Sequence, residues 1–277
     1  MKLSIITINL NNREGLELTV KSVVNQSTQD FEYIIIDGGS TDGSDELIRK
    51  YSNNIDFWVS EPDKGIYNAM NKGIQKANGE FCIFINSGDQ LYDNEVIAQV
   101  LPLLNDKDFY TGNQVQLFEK PIIFEAPEYL TVAYLINSYL PHAATFIRTE
   151  LLKKRAYSEL LKISSDWEQM LVEYSFNDRS YQRLHNTISY FDATGVSSDK
   201  ANEKVIIYER KQTIEKYFSK NLRDSIYNIP GYLYEQKIAY ALAKKPTLSR
   251  NFKILRNAIK LILFPQKNHP ICNDDKD

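Results

Sequence analysis

Residues 31–40 read Phe31-Glu32-Tyr33-Ile34-Ile35-Ile36-Asp37-Gly38-Gly39-Ser40, a β-branched and aromatic run that stops abruptly on a polar, glycine-rich turn. An unbroken apolar strand of this kind suits a sheet covered on both faces. Upstream, Leu3-Ser4-Ile5-Ile6-Thr7-Ile8 is a second such run, and between the two Leu16, Val20, Val23 and Val24 stand at helical spacing. Downstream the alternation continues. A helix is expected from about Asp42, with Leu47, Ile48 and Tyr51 inward, then a strand at Ile55–Val59. A helix over 66–77 carries Ile66, Ala69, Met70, Gly73, Ile74 and Ala77 on one stripe, and a fourth strand runs from Phe81 to Ile85. Strands alternating with helices of this length predict βαβ units, hence an α/β fold with a mainly parallel, Rossmann-like central sheet and helices on both faces.

Beyond residue 105 the periodicity weakens. Short strands are expected at Phe109–Leu117, Ile122–Phe124, Ala143–Ile147 and Ser189–Phe191, and helices at about 93–104, 128–138 and 165–175. Residues 203–265 read as almost wholly helical, interrupted at Pro230-Gly231 and Pro246. The organisation expected is therefore one α/β domain over 1–200, a helical C-terminal extension over 201–265, and a polar tail over 266–277.

Composition excludes several classes. Two cysteines in 277 residues, Cys82 in an apolar run and Cys272 in the tail, support neither a disulfide framework nor a thiolate zinc site. His142, His185 and His269 are too scattered for a histidine metal centre. No apolar run reaches the roughly 18 residues of a membrane span. The N-terminus lacks a secretory pattern, so a cytoplasmic location is expected. Residues 1–202 hold 18 Lys and Arg against 28 Asp and Glu, whereas 203–265 hold 13 against 5. The acidic front argues against a nucleic-acid partner. The basic back half suits solvated helices or an anionic membrane surface. Over 246–264, Leu248, Phe252, Leu255, Ile259, Ile262 and Leu263 recur at helical spacing among Arg250, Lys253, Arg256 and Lys260. Such a helix can lie in a membrane interface, at the inner face of the cytoplasmic membrane, or pack on protein.

In an open parallel sheet, ligands bind beyond the carboxyl ends of the strands. Here each early strand empties into polar residues: Thr7, Asn9 and Asn11 after the first, and Asp37 after the second. The third is followed by Glu61-Pro62-Asp63-Lys64-Gly65 and the fourth by Asn86-Ser87-Gly88-Asp89. Neither Gly-x-Gly-x-x-Gly after the first strand nor a phosphate-binding Gly-x-x-x-x-Gly-Lys loop is present, which disfavours dinucleotide and P-loop chemistry. Asp89 can supply a carboxylate to Mg²⁺ or Mn²⁺, Asp37 can accept hydrogen bonds from a base or ribose, and Lys64 can offset phosphate charge.

As an ordered set these stretches resemble family 2 glycosyltransferases, nucleotide-sugar enzymes with the GT-A fold, and among them the bacterial exopolysaccharide branch of the colanic-acid type. The resemblance is carried by residues 3–11, 33–44 and 61–73, by Gly79-Glu80-Phe81 with Asn86-Ser87-Gly88-Asp89, by Pro141–Phe146, and by Ser164-Ser165-Asp166-Trp167-Glu168. It spans about 3–200. It implies a donor site with Thr7, Asn9, Asp37, Asp63 and Lys64, a metal ligand in Asp89, and a catalytic base in Asp166, with Glu168 in reserve. The departures are Gly38 where many relatives have a second Asp, Leu10 where an aromatic residue is frequent, and Asn86 and Gly88 in place of the carboxylates of the Asp-x-Asp motif. The reaction implied is metal-dependent, inverting transfer from a nucleotide-diphosphate sugar, a UDP-sugar first, to an oligosaccharide or lipid-linked acceptor. Two alternatives stand beside it. One is a non-catalytic nucleotide- or sugar-binding module, favoured by the missing carboxylates. The other is a nucleotidyltransferase, which lacks its Gly-rich basic loop here.

Overall fold

The computed structural model describes residues 1–195 and 198–227. The first part of the chain runs β1 (Leu3–Asn9), α1 (Arg13–Val24), β2 (Glu32–Asp37), α2 (Ser44–Lys50), β3 (Phe57–Ser60), α3 (Ile66–Lys76) and β4 (Phe81–Phe84). There follow β5 (Gln90–Leu91), α4 (Val96–Val100), β6 (Phe109–Leu117), β7 (Ile122–Phe124), α5 (Val132–Asn137), β8 (Thr145–Arg148), α6 (Thr149–Lys154), α7 (Ser165–Phe176), β9 (Tyr181–Asp192), α8 (Glu203–Tyr217) and α9 (Lys220–Tyr227). Two compact units divide the chain, Met1–Tyr217 and Phe218–Asp277, and α8 lies in the first. Of the second, α9 is the described helix; residues 246–264 lie outside the described residues, as does most of the expected extension. No described helix is long and apolar enough to cross a membrane.

One sheet has the order β3-β2-β1-β4-β8-β6-β9-β5, with β7 on the side of β6. The first four strands are parallel, as their apolar runs predict; β8, β7 and β5 join antiparallel, so the second half is mixed. Alternation along β1 and β2 sends Leu3, Ile5, Tyr33 and Ile35 into a core with Leu16, Val20 and Val23 of α1 and Leu47 and Ile48 of α2. The opposite face takes α3, so closely that a Cβ on Gly73 would strike Ile6. That glycine is what lets the helix seat on the sheet.

The departures from expectation have local causes. The helix expected over 93–104 is cut to α4 followed by a 3₁₀ turn at Leu101–Leu103, where Pro102 removes a backbone donor. The 128–138 helix begins only at Val132, where the Thr131 hydroxyl caps the Tyr134 amide at 3.0 Å. Strand β9 is 12 residues long, far beyond Ser189–Phe191. Its first half, Tyr181-Gln182-Arg183-Leu184-His185, places Gln182 and Arg183 side by side, without the alternation that marks a strand, and gains strand form from pairing with β6.

Chain order turns back at β1, which has β2 and then β3 on one side and β4 on the other. The carboxyl ends of β1 and β4 therefore flank the crevice where such sheets bind ligands.

Candidate active site

Register places Asn9, Asp37 and Ser60 abreast at the ends of β1, β2 and β3. Asp37 is fully buried and accepts from all around. Asn9 Nδ2 donates to its Oδ1 at 2.7 Å and the Ser40 hydroxyl at 2.6 Å, while the Ser40 amide and Ser60 hydroxyl donate to Oδ2 at 2.9 and 2.6 Å. Burial pushes the Asp37 carboxyl up, but these hydrogen bonds outweigh it and hold it below the usual range. With its lone pairs filled, Asp37 fixes three strand ends and the 38–41 turn; its first task is to shape the site. Asn9 Oδ1, by contrast, is buried and accepts nothing. Thr7, expected at the donor site, is engaged within the sheet. Its side chain is fully buried, and its hydroxyl donates to the Ile85 carbonyl at 2.6 Å, locking β1 to the end of β4.

Asp63 and Lys64 lie on the loop after β3. Asp63 Oδ1 accepts from the Gly65 amide at 2.8 Å, and its Oδ2 fills the place where a side chain on Gly38 would stand. Lys64 is exposed on the same loop.

Across the switch point, the turn 86–89 is tied to α1. The Thr19 hydroxyl donates to the Asp89 carbonyl at 2.6 Å, and Asn12 Nδ2 to the Ser87 carbonyl at 3.1 Å. Asp89 is only 6% exposed, and its Oδ1 accepts from the Asp192 amide at 2.9 Å. Burial, joined by the neighbouring Asp192 charge, pushes its carboxyl up to about 7. Among the described residues no group of three or more His, Cys, Asp or Glu side chains is placed to hold a metal. The turn nonetheless suits a hard divalent cation that takes its other ligands from phosphates, because its donors are all oxygens and Asn86 Oδ1 is buried without a donor.

Asp166 sits in the first turn of α7 and is half-buried. The Tyr67 hydroxyl, from α3, donates to Asp166 Oδ1 at 2.9 Å and accepts from the Ser165 amide at 3.0 Å. Asp166 does not cap its helix; Ser164 occupies the cap position. The Arg210 guanidinium of α8 stacks on Trp167, 4.8 Å from the ring. Burial presses Arg210 toward its neutral form, and the Asp166 charge opposes this.

Glu168 is otherwise engaged: Arg155 lies 3.1 Å from its carboxylate and the Tyr217 hydroxyl donates to it at 3.0 Å. It buttresses α7 against α8. His142 stacks on Phe84 with 4.7 Å between ring centres and shares a 2.9 Å hydrogen bond with Tyr157, and burial lowers its pKa. A satisfied structural histidine is the result.

Glu209, unmarked in the sequence, holds the approach to α7. Its carboxylate accepts from the Lys162, Ile163 and Ser164 amides at 2.6, 3.1 and 3.0 Å. Glu209→Ala strips three amides of their acceptor, at about 1–3 kcal/mol for each one left unsatisfied. Because part of this loop can hydrate, the expected loss is about 2–4 kcal/mol, seen as a lower urea midpoint with unchanged slope. Glu209→Gln, which retains one acceptor oxygen, should lose less.

Against known proteins, a profile described as Glycosyl transferase family 2 matches residues 4–147. An uncharacterised glycosyltransferase of Mycobacterium tuberculosis is 33% identical over 208 residues, covering 71% of this chain and 77% of the relative. The structure of Staphylococcus aureus TarS 1–349 in complex with UDP aligns with a TM-score of 0.62 at 19% identity, over 82% of this chain and 69% of that one. A mannosyltransferase from Pyrobaculum calidifontis in complex with GDP-Man and Mn²⁺ aligns at 0.62 and 14% identity, over 94% and 80%. The fold is that of the GT-A glycosyltransferases.

Proposed function

Because the chain belongs to glycosyl transferase family 2 and is a glycosyltransferase, we propose that it moves a sugar, with inversion, from a nucleotide diphosphate to an oligosaccharide or lipid-linked acceptor in bacterial surface polysaccharide synthesis of the colanic-acid type. The observation carrying this reading is the half-buried Asp166 carboxylate, oriented by Tyr67 and not consumed as a helix cap. A base there removes the acceptor proton as the oxygen attacks. Acting alone, it leads to displacement opposite the leaving group, and so to inversion.

The donor side uses the crevice between β1 and β4. Asn9 offers a free buried acceptor, Asp37 holds the ends of the strands in register, and Asp63 and Lys64 line the loop after β3. A divalent cation, Mg²⁺ or Mn²⁺, would be held at the turn containing Asp89 and would offset charge on the departing diphosphate. Uridine is the first choice of base, supported by UDP in TarS; GDP-Man in the mannosyltransferase makes guanosine the rival. The test is nucleotide release from a panel of UDP-, GDP- and dTDP-sugars with Mn²⁺. Release from one base class is expected, and none from any of them would overturn the reading.

The lipid-linked acceptor motivates a second expectation, for 246–264. Each basic residue near an anionic surface contributes about 1 kcal/mol. The full chain should therefore cosediment with anionic liposomes at low salt and lose this on truncation after about residue 245. Binding that survives truncation, or fails at low salt, removes the membrane role.

A further inference from the structure

Asp89 is the single carboxylate of the 86–89 turn, and it lies nearly enclosed. The residue before it, Gly88, has no side chain and φ of +104°, a conformation costly for other residues. A Cβ placed there would meet Asp192 Oδ2 at 2.7 Å and Asp192 Cγ at 3.3 Å. The space that a side chain at 88 would take is thus filled by a carboxylate from the last residue of β9.

That carboxylate is oriented by its surroundings. The Asp192 amide donates to Asp89 Oδ1 at 2.9 Å, pinning the end of β9 on the turn. The Thr194 amide and hydroxyl donate to Asp192 Oδ1 at 2.9 and 2.7 Å. Oδ2 is left facing Gly88, without a donor among the described residues. A third oxygen, Asn86 Oδ1, is buried in the same turn and also accepts nothing. The pattern has a parallel two strands over, at the end of β2, where Asp63 from the loop after β3 fills the place beside Gly38. At both strand ends a glycine admits a carboxylate from a different element.

We infer that Asp192 is a ligand of the divalent cation, so that the site draws one carboxylate from the 86–89 turn and one from the end of β9. This inference rests on the metal-dependent reading above and goes beyond it by naming a ligand outside the turn. Two carboxylates held this close repel each other until a cation or a proton comes between them. Hard oxygen donors select Mg²⁺ or Mn²⁺, and a two-carboxylate site leaves positions for water and donor phosphate. Because Asp89 and Asp192 are 103 positions apart in the chain, cation binding also clamps β9 to the turn.

The experiment is an electron paramagnetic resonance titration of the full chain with Mn²⁺, with and without UDP, alongside melting curves. Asp192→Asn keeps an acceptor for Thr194 and removes the charge; Asp106→Asn, at an exposed acid, is the control. Wild type and the control should bind Mn²⁺ and melt higher with it. Without metal Asp192→Asn should melt no lower than wild type, since it loses a charge that repels Asp89, and it should bind Mn²⁺ at least about tenfold more weakly. Asp192→Cys adds a readout that a structural role would not move, since a thiolate ligand turns preference from Mn²⁺ toward Cd²⁺. Wild-type Mn²⁺ affinity in Asp192→Asn, or an unchanged Mn²⁺/Cd²⁺ preference in Asp192→Cys, overturns the assignment and leaves the metal-dependent reading standing. Wild-type protein that binds no Mn²⁺ in either condition overturns both.

Discussion

Asp166→Asn should bind a nucleotide-sugar donor as tightly as wild type while transfer falls by about 10²–10⁴, the usual contribution of a positioned base. The expectation of intact donor binding follows from location. Asp166 is held by Tyr67 of α3, and it is not among the partners of the Asn9–Asp37–Ser60 row. Asparagine retains an oxygen for the Tyr67 hydroxyl, so the first turn of α7 should stand and the melting temperature should change little. Tyr67→Phe separates orientation from proton removal. It leaves the carboxylate present but unanchored and frees the Ser165 amide, so its loss of rate should be smaller. Isothermal titration with the donor and single-turnover transfer measure the two halves independently. A collapse of donor affinity in Asp166→Asn would place Asp166 in the donor site. Glu168 could not easily inherit the role of base, since Arg155 and Tyr217 already hold its carboxylate.

The parallel half of the sheet was legible because both its faces are covered, and unbroken apolar runs such as Tyr33–Ile36 have few other uses. The site edge was legible for the same reason: Asn9, Asp37 and the 86–89 turn interrupt those runs at one end. Individual roles were harder to read. Thr7 and Asp37 stand in the right places, yet burial turns the first into a strand lock and the second into a knot. Sequence spacing cannot distinguish a polar residue that faces a ligand from one that faces its neighbours. Glu209 and Arg210 were missed because α8 reads as an ordinary charged helix, and their partners lie some forty residues upstream, on α7 and its approach. Asp192 was within reach. It directly follows the expected strand Ser189–Phe191, and the strand-end argument used for the first four strands, carried to this one, selects it.

Asp89→Asn should abolish most donor turnover and metal-dependent nucleotide binding, yet leave the protein folded. The carboxylate is enclosed, and its Oδ1 holds the Asp192 amide, a task asparagine can perform. Loss of function would therefore come from loss of charge rather than of structure. The pH dependence of the metal-free protein supplies a second, independent sign. With the folded carboxyl at about 7, the native state binds a proton more tightly than the unfolded chain, where an aspartate titrates near 4. Stability from this group is thus full below about pH 4, declines as pH rises, and reaches its floor above about pH 7. Three pKa units correspond to on the order of 4 kcal/mol. Urea unfolding of metal-free wild type should show this decline, and Mn²⁺ at pH 8 should recover part of it by supplying the missing positive charge. In Asp89→Asn both effects should vanish, because an amide neither titrates in this range nor attracts the cation as a carboxylate does. An Asp89→Asn protein that turns over donor at the wild-type rate, or whose stability still falls between pH 4 and 7 and recovers with Mn²⁺, would move the charge in question to another residue of the crevice.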